Sequence, residues 1–102
     1  MIQAGFTQRV WNAAKRIPRG RATTYGEVAR FLGGTRACRA VGNALNKNRS
    51  PAVPCHRVVK SGGGIGGFAR GSKAKKKLLQ SEGVRFKGDK VADFKKVFYH
   101  FR

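Results

Sequence analysis

Residues 24–34 read Thr24-Tyr25-Gly26-Glu27-Val28-Ala29-Arg30-Phe31-Leu32-Gly33-Gly34, and they predict a short helix with a defined start and end. Thr24 stands three residues before Glu27, which is the spacing of a capping box at a helix N-terminus. The apolar positions Val28, Phe31 and Leu32 recur at the spacing of one helical face. Because two glycines then break the pattern, we expect a helix over residues 25–32, with Glu27 in a structural role.

A second helix is predicted directly after this stretch, over residues 36–47. Cys38, Val41 and Leu45 fall on one face, while another face carries small and basic residues around Gly42. Two short helices joined by a glycine-containing turn form a helix-turn-helix, whose second helix lies in a DNA groove, although an ordinary αα-hairpin shows the same pattern. Glycine in a helix costs about 1 kcal/mol relative to alanine, so Gly42 indicates close packing or close approach of a partner.

The remaining elements follow from periodicity and from the residues that end helices. They are helices over residues 6–17 and 73–82, a strand over 57–60, a hairpin within 84–91 and a final helix from Asp93. Trp11 is expected in the core, and the lysines of the 73–82 helix are expected to face solvent or phosphate. A chain of this length builds one modest core, so we predict a single domain over residues 1–102.

The charge of the chain indicates its partner. Lys and Arg number 23 against four acidic residues, which gives a formal net charge of +19. Such a field concentrates polyanions, so nucleic acid is the expected partner. An anionic membrane ranks second because no strongly apolar amphipathic helix accompanies the charge, and a merely solvated basic surface is the third interpretation.

The location follows from the hydrophobic pattern. No apolar run is long enough to cross a bilayer, and the first residues lack the apolar centre of a signal peptide. We therefore expect a cytoplasmic protein associated with DNA, or a nuclear one in a eukaryote.

A nucleophile is indicated by Pro51-Ala52-Val53-Pro54-Cys55-His56-Arg57-Val58-Val59. The thiolate is the reactive form of cysteine, and neighbouring positive charge favours it. On an extended segment Cys55 and His56 would point to opposite faces, so they need a bend or a bridging water to cooperate. The other interpretation of Cys55 is a small buried thiol. With Cys38 as the second cysteine, the spacing predicts neither a metal site nor a disulfide scaffold.

Residues 61–71 form a glycine-rich segment. They lack the GxxxxGK[ST] pattern of a phosphate-binding loop, so nucleotide hydrolysis is not indicated. A turn whose backbone lines a pocket explains the glycines, and Phe68 either covers a flat ring there or packs in the core.

The order of residues along the chain resembles the C-terminal domain of O6-alkylguanine-DNA alkyltransferases. The resemblance covers residues 6–83 and leaves the basic, aromatic tail 84–102 outside it. Its most specific part is Pro54-Cys55-His56-Arg57-Val58-Val59. The other matching segments are Phe6, Arg9-Val10-Trp11, Ile17-Pro18, Gly20, Thr24-Tyr25-Gly26-Glu27, Arg39-Ala40-Val41-Gly42, Asn48, Gly66-Gly67-Phe68-Ala69, Leu78-Leu79 and Glu82-Gly83. We therefore predict a mainly α fold with a small β element, a winged-helix-like domain containing the helix-turn-helix.

The resemblance implies irreversible transfer of an alkyl group from O6-alkylguanine in DNA, and also from O4-alkylthymine, to Cys55. It implies a monomer that uses no cofactor and no metal. His56 would act as a general base through a water, and Glu82 would orient His56. Asn48 would hold the active-site turn, and Tyr25 would crowd a phosphate and donate a proton to guanine N3.

The resemblance also implies binding to double-stranded DNA through the minor groove, with the damaged base rotated out of the stack. Arg39 would enter the duplex in place of that base. The other predicted DNA-binding residues are Thr24, Tyr25, Arg36, Ala37, Ala40, Gly42 and Asn43. The substrate pocket would be lined by Val58, Gly66, Phe68 and Ala69, with Phe68 where the family usually has tyrosine.

A related group of alkyltransferase-like proteins offers the alternative function. Its members carry another residue, usually tryptophan, at the acceptor position, and they flag lesions for excision repair without removing the alkyl group. Cys55 favours the enzyme over this alternative. A generic basic DNA-binding protein would explain the charge but would leave Cys55, His56 and Glu82 without a role.

Overall fold

The computed structural model describes residues 5–34, 38–48, 50, 52–67 and 71–101. The helices are α1 (Phe6–Ala14), α2 (Tyr25–Phe31), α3 (Cys38–Asn46), α4 (Ser72–Ser81) and α5 (Phe94–Val97). The strands are β1 (Thr23–Thr24), β2 (Val58–Val59), β3 (Phe86–Lys87) and β4 (Lys90–Val91), and single 3₁₀ turns span Cys55–Arg57 and Ser61–Gly63. The predicted mainly α fold with a small β element, a winged-helix-like domain around a helix-turn-helix, is confirmed.

The main core lies where α1 packs against the helix-turn-helix of α2 and α3. Its buried residues are Val10, Ala13, Ala14, Ile17, Val28, Ala29, Val41, Ala44, Leu45, Val53, Val58 and Phe101. Trp11 packs against this core as expected, and its indole Nε1 donates a hydrogen bond to the Ala44 carbonyl oxygen at 2.8 Å. That bond ties α1 to α3 and satisfies the polar end of a large apolar ring.

Only half of the predicted capping box forms at the start of α2. The Thr24 Oγ1 accepts a hydrogen bond from the Glu27 backbone N–H at 3.0 Å, as a cap should. The Glu27 carboxylate instead accepts from the Arg30 guanidinium and, at 2.9 Å, from the Phe101 backbone N–H. Glu27 is buried, and a buried carboxylate is stabilised more by charged and amide donors than by one cap bond. Its structural role therefore extends to the end of the chain.

The predicted strand over residues 57–60 is present as β2, shortened to two residues. It pairs in parallel with β1, in the register Thr23 with Val58 and Thr24 with Val59. Sequence patterns gave Thr23 and Thr24 only a capping role, but β-branched residues also suit a strand. The pairing places the segment after Cys55 directly beside the start of α2.

The second half of the chain, together with Ala22, builds a smaller core of Ala22, Val59, Leu79, Val84 and Val91. The predicted hairpin is present, with Phe86 opposite Val91 and Lys87 opposite Lys90. The final helix, predicted from Asp93 with that acid as its cap, begins at Phe94, and the Asp93 side chain makes no cap hydrogen bond. It makes one turn, because the chain then bridges to Ala22 and becomes extended. Within the part of the chain that is described, no helix is both long and apolar enough to span a bilayer.

Candidate active site and DNA-binding surface

Cys55 begins the 3₁₀ turn that leads into β2. This turn supplies the bend that an extended Cys-His pair lacks. The thiol is half-buried and packs against the main core. Asn48 Nδ2 lies 3.6 Å from the Cys55 Sγ, within hydrogen-bond range for a sulfur acceptor. Cys55 therefore contacts the apolar core as well as the amide group of Asn48.

Asn48 fixes the loop that carries Cys55. Its buried side chain donates from Nδ2 to the carbonyl oxygens of Ser50 at 2.9 Å and Val53 at 3.3 Å. Its Oδ1 accepts from the Ser50 backbone N–H at 3.0 Å. One side chain thus joins both ends of the loop and reaches the sulfur.

Glu82, at the C-terminal end of α4, joins His56 to Arg57. Its Oε2 lies 2.8 Å from His56 Nε2. Arg57 donates to both carboxylate oxygens, from Nε to Oε1 at 2.9 Å and from Nη2 to Oε2 at 2.8 Å. Arg57 also donates to the Ile17 carbonyl oxygen at 2.8 Å. An ionised carboxylate only accepts hydrogen bonds, so Nε2 of His56 carries the proton and Nδ1 is left with a lone pair.

The electrostatics of this cluster favour a neutral imidazole beside an ionised carboxylate. Burial lowers the pKa of His56 below its usual value, and the hydrogen bond and charge of Glu82 oppose that effect only in part. For Glu82, burial acts to raise the pKa, but the hydrogen bonds and charges of Arg57 and His56 lower it below its usual value overall. His56 is therefore poised to accept a proton at neutral pH.

A buried lysine, Lys75, lies close enough to Cys55 for charge on one to affect the other. Lys75 has no exposed surface, and its Nζ donates to the Tyr25 hydroxyl oxygen at 3.2 Å and to the Gly67 carbonyl oxygen at 3.1 Å. The Tyr25 hydroxyl in turn donates to Gly67 at 3.3 Å. Burial lowers the pKa of Lys75 to about 8, while the negative charge of Cys55 opposes this shift. Burial and the same charge raise the pKa of Tyr25.

Sequence patterns missed the parts played by Lys75 and Arg57. Lys75 was expected with its neighbours on a basic outer face, and that is wrong, because it lies on the buried side of α4. A signal existed, since Lys75 stands four residues before Leu79, the buried apolar residue of that helix. No local sequence pattern predicts the two hydrogen bonds from Arg57 to Glu82, because the two residues are 25 positions apart in the chain.

The predicted pocket residues are placed differently from one another. Gly66 lies against Tyr25, since a Cβ built there would be 3.0 Å from the Tyr25 hydroxyl oxygen. Val58 is fully buried in the core that Cys55 packs on. Phe68 and Ala69 lie outside the described residues.

Those predicted DNA-binding residues that the structure describes lie on the helix-turn-helix. Arg39, Ala40 and Asn43 are exposed on α3, opposite its buried residues. Gly42 is half-buried and faces the Tyr25 ring, 3.9 Å from a Cβ built on the glycine. Thr24 caps α2, while Arg36 and Ala37 lie outside the described residues. The exposed side of α3 has little side-chain bulk apart from Arg39, which suits close approach to a duplex.

Comparison with known proteins places this site in context. The family model described as the DNA-binding domain of 6-O-methylguanine DNA methyltransferase matches residues 5–84. The methylated-DNA–protein-cysteine methyltransferase of Methanosarcina acetivorans is 48% identical over 79 residues, which are 76% of this chain and 51% of that protein. The chain spans about half the length of the curated relatives it matches.

Two solved structures with DNA have the same fold. Atl1 of S. pombe, in complex with damaged DNA containing O6-carboxymethylguanine, superposes with a TM-score of 0.82 at 29% identity, covering 99% of this chain and 100% of that one. OGT of Mycobacterium tuberculosis, in complex with DNA, gives a TM-score of 0.74 at 41% identity, covering 79% of this chain and 51% of that one.

Proposed function

Because the chain belongs to the 6-O-methylguanine DNA methyltransferase family, through its DNA-binding domain, we propose that it repairs DNA by moving an alkyl group from O6-alkylguanine onto Cys55. The observation that carries the proposal is the arrangement around this thiol. Asn48 lies 3.6 Å from its sulfur, and the adjacent His56 is held by Glu82 at 2.8 Å. That is a nucleophile, a base and an orienting acid in one cluster.

The first step removes the thiol proton. His56 presents its Nδ1 lone pair because Glu82 holds the proton on Nε2. A water between Cys55 and Nδ1 passes the thiol proton to the imidazole, and Glu82 stabilises the resulting imidazolium. Asn48 and the buried Lys75 stabilise the negative sulfur by a hydrogen bond and by charge, respectively.

The second step transfers the alkyl group. The sulfur of Cys55 attacks the alkyl carbon, so that an S–C bond forms as the C–O6 bond breaks and its electron pair moves onto the guanine. The Tyr25 hydroxyl donates a proton to the guanine, and Lys75, 3.2 Å away, returns one to Tyr25. The thioether is stable, so each protein molecule acts once.

The helix-turn-helix binds the duplex that contains the damaged guanine. A guanine inside a duplex is out of reach of a half-buried thiol, so the nucleotide must be extruded at a cost of a few kcal/mol. The slim exposed side of α3 lies in the minor groove, and Arg39 fills the gap left in the stack. A net charge of +19 supplies the phosphate attraction that supports this binding.

Lesion recognition without transfer is the second candidate. It is favoured by the match to Atl1, which covers both chains almost completely and was solved with damaged DNA. In that function the chain binds the extruded base and recruits a partner, and Cys55 stays unmodified.

The experiment that tests the proposal is intact-protein mass spectrometry after incubation with a duplex containing O6-methylguanine. We expect a gain of one methyl group, located on the peptide that contains Cys55. Cys55→Ala should bind the same duplex and gain no mass. Cys38→Ser is the matched control, because Cys38 is the other thiol and is more exposed, and this variant should still be methylated.

An unchanged wild-type mass with tight lesion binding would overturn transfer and support lesion recognition. Methylation that disappears in Cys38→Ser but persists in Cys55→Ala would contradict the assignment of the nucleophile.

A further inference from the structure

A basic cleft lies beside the proposed active site. It has a volume of about 760 Å³ and opens between the glycine-rich segment after β2, helix α4 and the β3–β4 hairpin. Four lysines line it, namely Lys60, Lys73, Lys76 and Lys90, and we call it the lysine cleft. The hairpin that forms one wall lies beyond residues 5–84, the part of the chain that the family model matches.

The charges of the lysine cleft are poorly balanced. Its acidic residue, Asp89, lies 3.6 Å from Lys76, which also donates a hydrogen bond to the Gly88 carbonyl oxygen at 2.8 Å. The other three lysines, Lys60, Lys73 and Lys90, are exposed, and they form no ion pair with any residue that the structure describes. Three ammonium groups thus share one concave surface without anionic partners, which favours an anion that carries several charges.

The walls of the lysine cleft are fixed to each other. Gly64 bridges to Lys90, and the Ile65 backbone N–H donates to the Asp89 carbonyl oxygen at 3.2 Å. The aliphatic part of Lys60 packs along Gly64, 3.6 Å from a Cβ built there. The backbone positions of Lys60 and Lys90 are therefore set by the fold before any ligand binds, which lowers part of the cost of binding one.

The lysine cleft and the proposed active site share a wall. Gly66 and Gly67 line the cleft, and the Gly67 carbonyl oxygen accepts hydrogen bonds from both Tyr25 and Lys75. A nucleotide extruded toward Tyr25 brings its strand with it, and that strand carries a phosphate on each side of the base. The cleft therefore adjoins the site proposed to receive the extruded nucleotide.

We propose that the lysine cleft binds the phosphate backbone of the damaged DNA strand next to the extruded nucleotide, as a contact separate from the helix-turn-helix. This proposal rests on the proposed function for its partner. Lys60, Lys73 and Lys90 each neutralise phosphate charge, while Lys76 mainly holds the hairpin in place through Gly88.

The test compares two variants that remove the same charge. In the cleft variant Lys60, Lys73 and Lys90 are all replaced by Gln, and in the control variant Lys15, Lys95 and Lys96, which are exposed outside the cleft, are replaced by Gln. Binding to a duplex containing O6-methylguanine is measured over a range of salt concentrations. We expect the cleft variant to bind about tenfold more weakly and to lose about 0.9 in log–log salt slope for each phosphate contact removed. The control variant should lose little of either.

Modified DNA supplies a second test, whose first measurement uses the wild-type protein alone. Neutral methylphosphonates replace the phosphates that flank the lesion, and the wild-type protein should then bind more weakly. The cleft variant should lose no further affinity, because its contacts are already gone. An equal loss of duplex affinity in the cleft and control variants would overturn the proposal. So would methylphosphonates that weaken duplex binding equally in the wild type and in the cleft variant.

Transfer of the benzyl group from free O6-benzylguanine separates this proposal from the proposed function. That base carries no phosphate, so its reaction with Cys55 reports on the chemistry alone. Absence of this reaction in the wild type would count against transfer, while the duplex-binding series would still decide the role of the lysine cleft.

Discussion

The buried ammonium group of Lys75 lies 3.2 Å from the hydroxyl oxygen of Tyr25, and a thiolate at Cys55 would raise the pKa of both groups. Burying a charged lysine costs free energy, since the ammonium group is no longer hydrated. Here it keeps two hydrogen bonds, to Tyr25 and to Gly67. A charge retained at that cost, next to the proposed nucleophile and proton donor, is best explained by chemistry.

Lys75→Met should slow alkyl transfer by about 100-fold, the usual size of a proton-transfer contribution, and should leave duplex binding nearly unchanged. In the wild type the rate should fall as the pH rises past about 8, because Lys75 loses its proton there. This descending limb should be missing in Lys75→Met. Single-turnover rates between pH 6 and pH 9.5 check both points, with exposed Lys77→Met as the control on the same helix. A descending limb that persists in Lys75→Met would contradict the role.

Gly66→Ala should slow transfer by displacing Tyr25. Gly66 has φ +74°, and an added Cβ would lie 3.0 Å from the Tyr25 hydroxyl oxygen. Gly62→Ala is the matched control, since Gly62 has φ +83° and open space around it. Both substitutions should cost about 1 kcal/mol of stability through backbone strain, but only Gly66→Ala should lower the transfer rate from free O6-benzylguanine. Equal rates in the two variants would show that Tyr25 tolerates the shift.

Gly42→Ala should separate fold stability from DNA binding. The new Cβ would lie 3.9 Å from the Tyr25 ring, which is an ordinary contact, and alanine favours a helix by about 1 kcal/mol over glycine. We therefore expect a higher melting temperature together with weaker duplex binding, because the new methyl group lies against the ring of Tyr25, a proposed DNA-contact residue. Thermal melting and duplex titration check this pair of effects. Unchanged duplex affinity would remove Gly42 from the DNA interface.

Glu82 should make the protein acid-sensitive. Its pKa is lowered in the folded state, so the unfolded chain takes up a proton first as the pH falls. The stability that Glu82 contributes is present above the unfolded value of about 4.3 and is lost as the pH falls through the lower folded value. Glu82→Gln should destabilise the fold by about 3–5 kcal/mol at pH 7, because it leaves the Arg57 charge half-buried without its partner.

Melting temperatures measured between pH 3 and pH 7 test this prediction. The curve for Glu82→Gln should be flatter than that for the wild type below pH 4.3, with the remaining slope supplied by Glu27, whose pKa is also lowered. Parallel curves for the two proteins would show that Glu82 does not contribute to the acid sensitivity.

The sequence predicted most of the fold because its local signals agree with its tertiary packing. The helix after Thr24 begins where its cap predicts, and the glycines after Leu32 end it. The placement of Cys55, His56 and Glu82 could be predicted only through the family resemblance, because Glu82 is 26 positions from His56 and no local rule joins them.

Other features could not be predicted from local patterns, because their partners are distant in the chain. The spacing of Lys75 from Leu79 indicates the buried side of α4, but its partner Tyr25 is 50 positions away, so no local pattern reveals their hydrogen bond. The length of the last helix is set by the pairing of Phe98 with Ala22, which no periodicity in the tail reveals. The lysine cleft likewise exists only because the hairpin folds back onto the glycine-rich segment.

The contact between Phe101 and the helix-turn-helix has a consequence for synthesis of the protein. The Phe101 ring stacks on Phe31 at 4.7 Å, and its backbone N–H donates to Glu27, 74 positions earlier. A ribosome adds about 5–20 residues per second, so the N-terminal helices emerge seconds before the residue that completes their core. The nascent chain must therefore leave this surface of the helix-turn-helix uncovered until translation has passed residue 101.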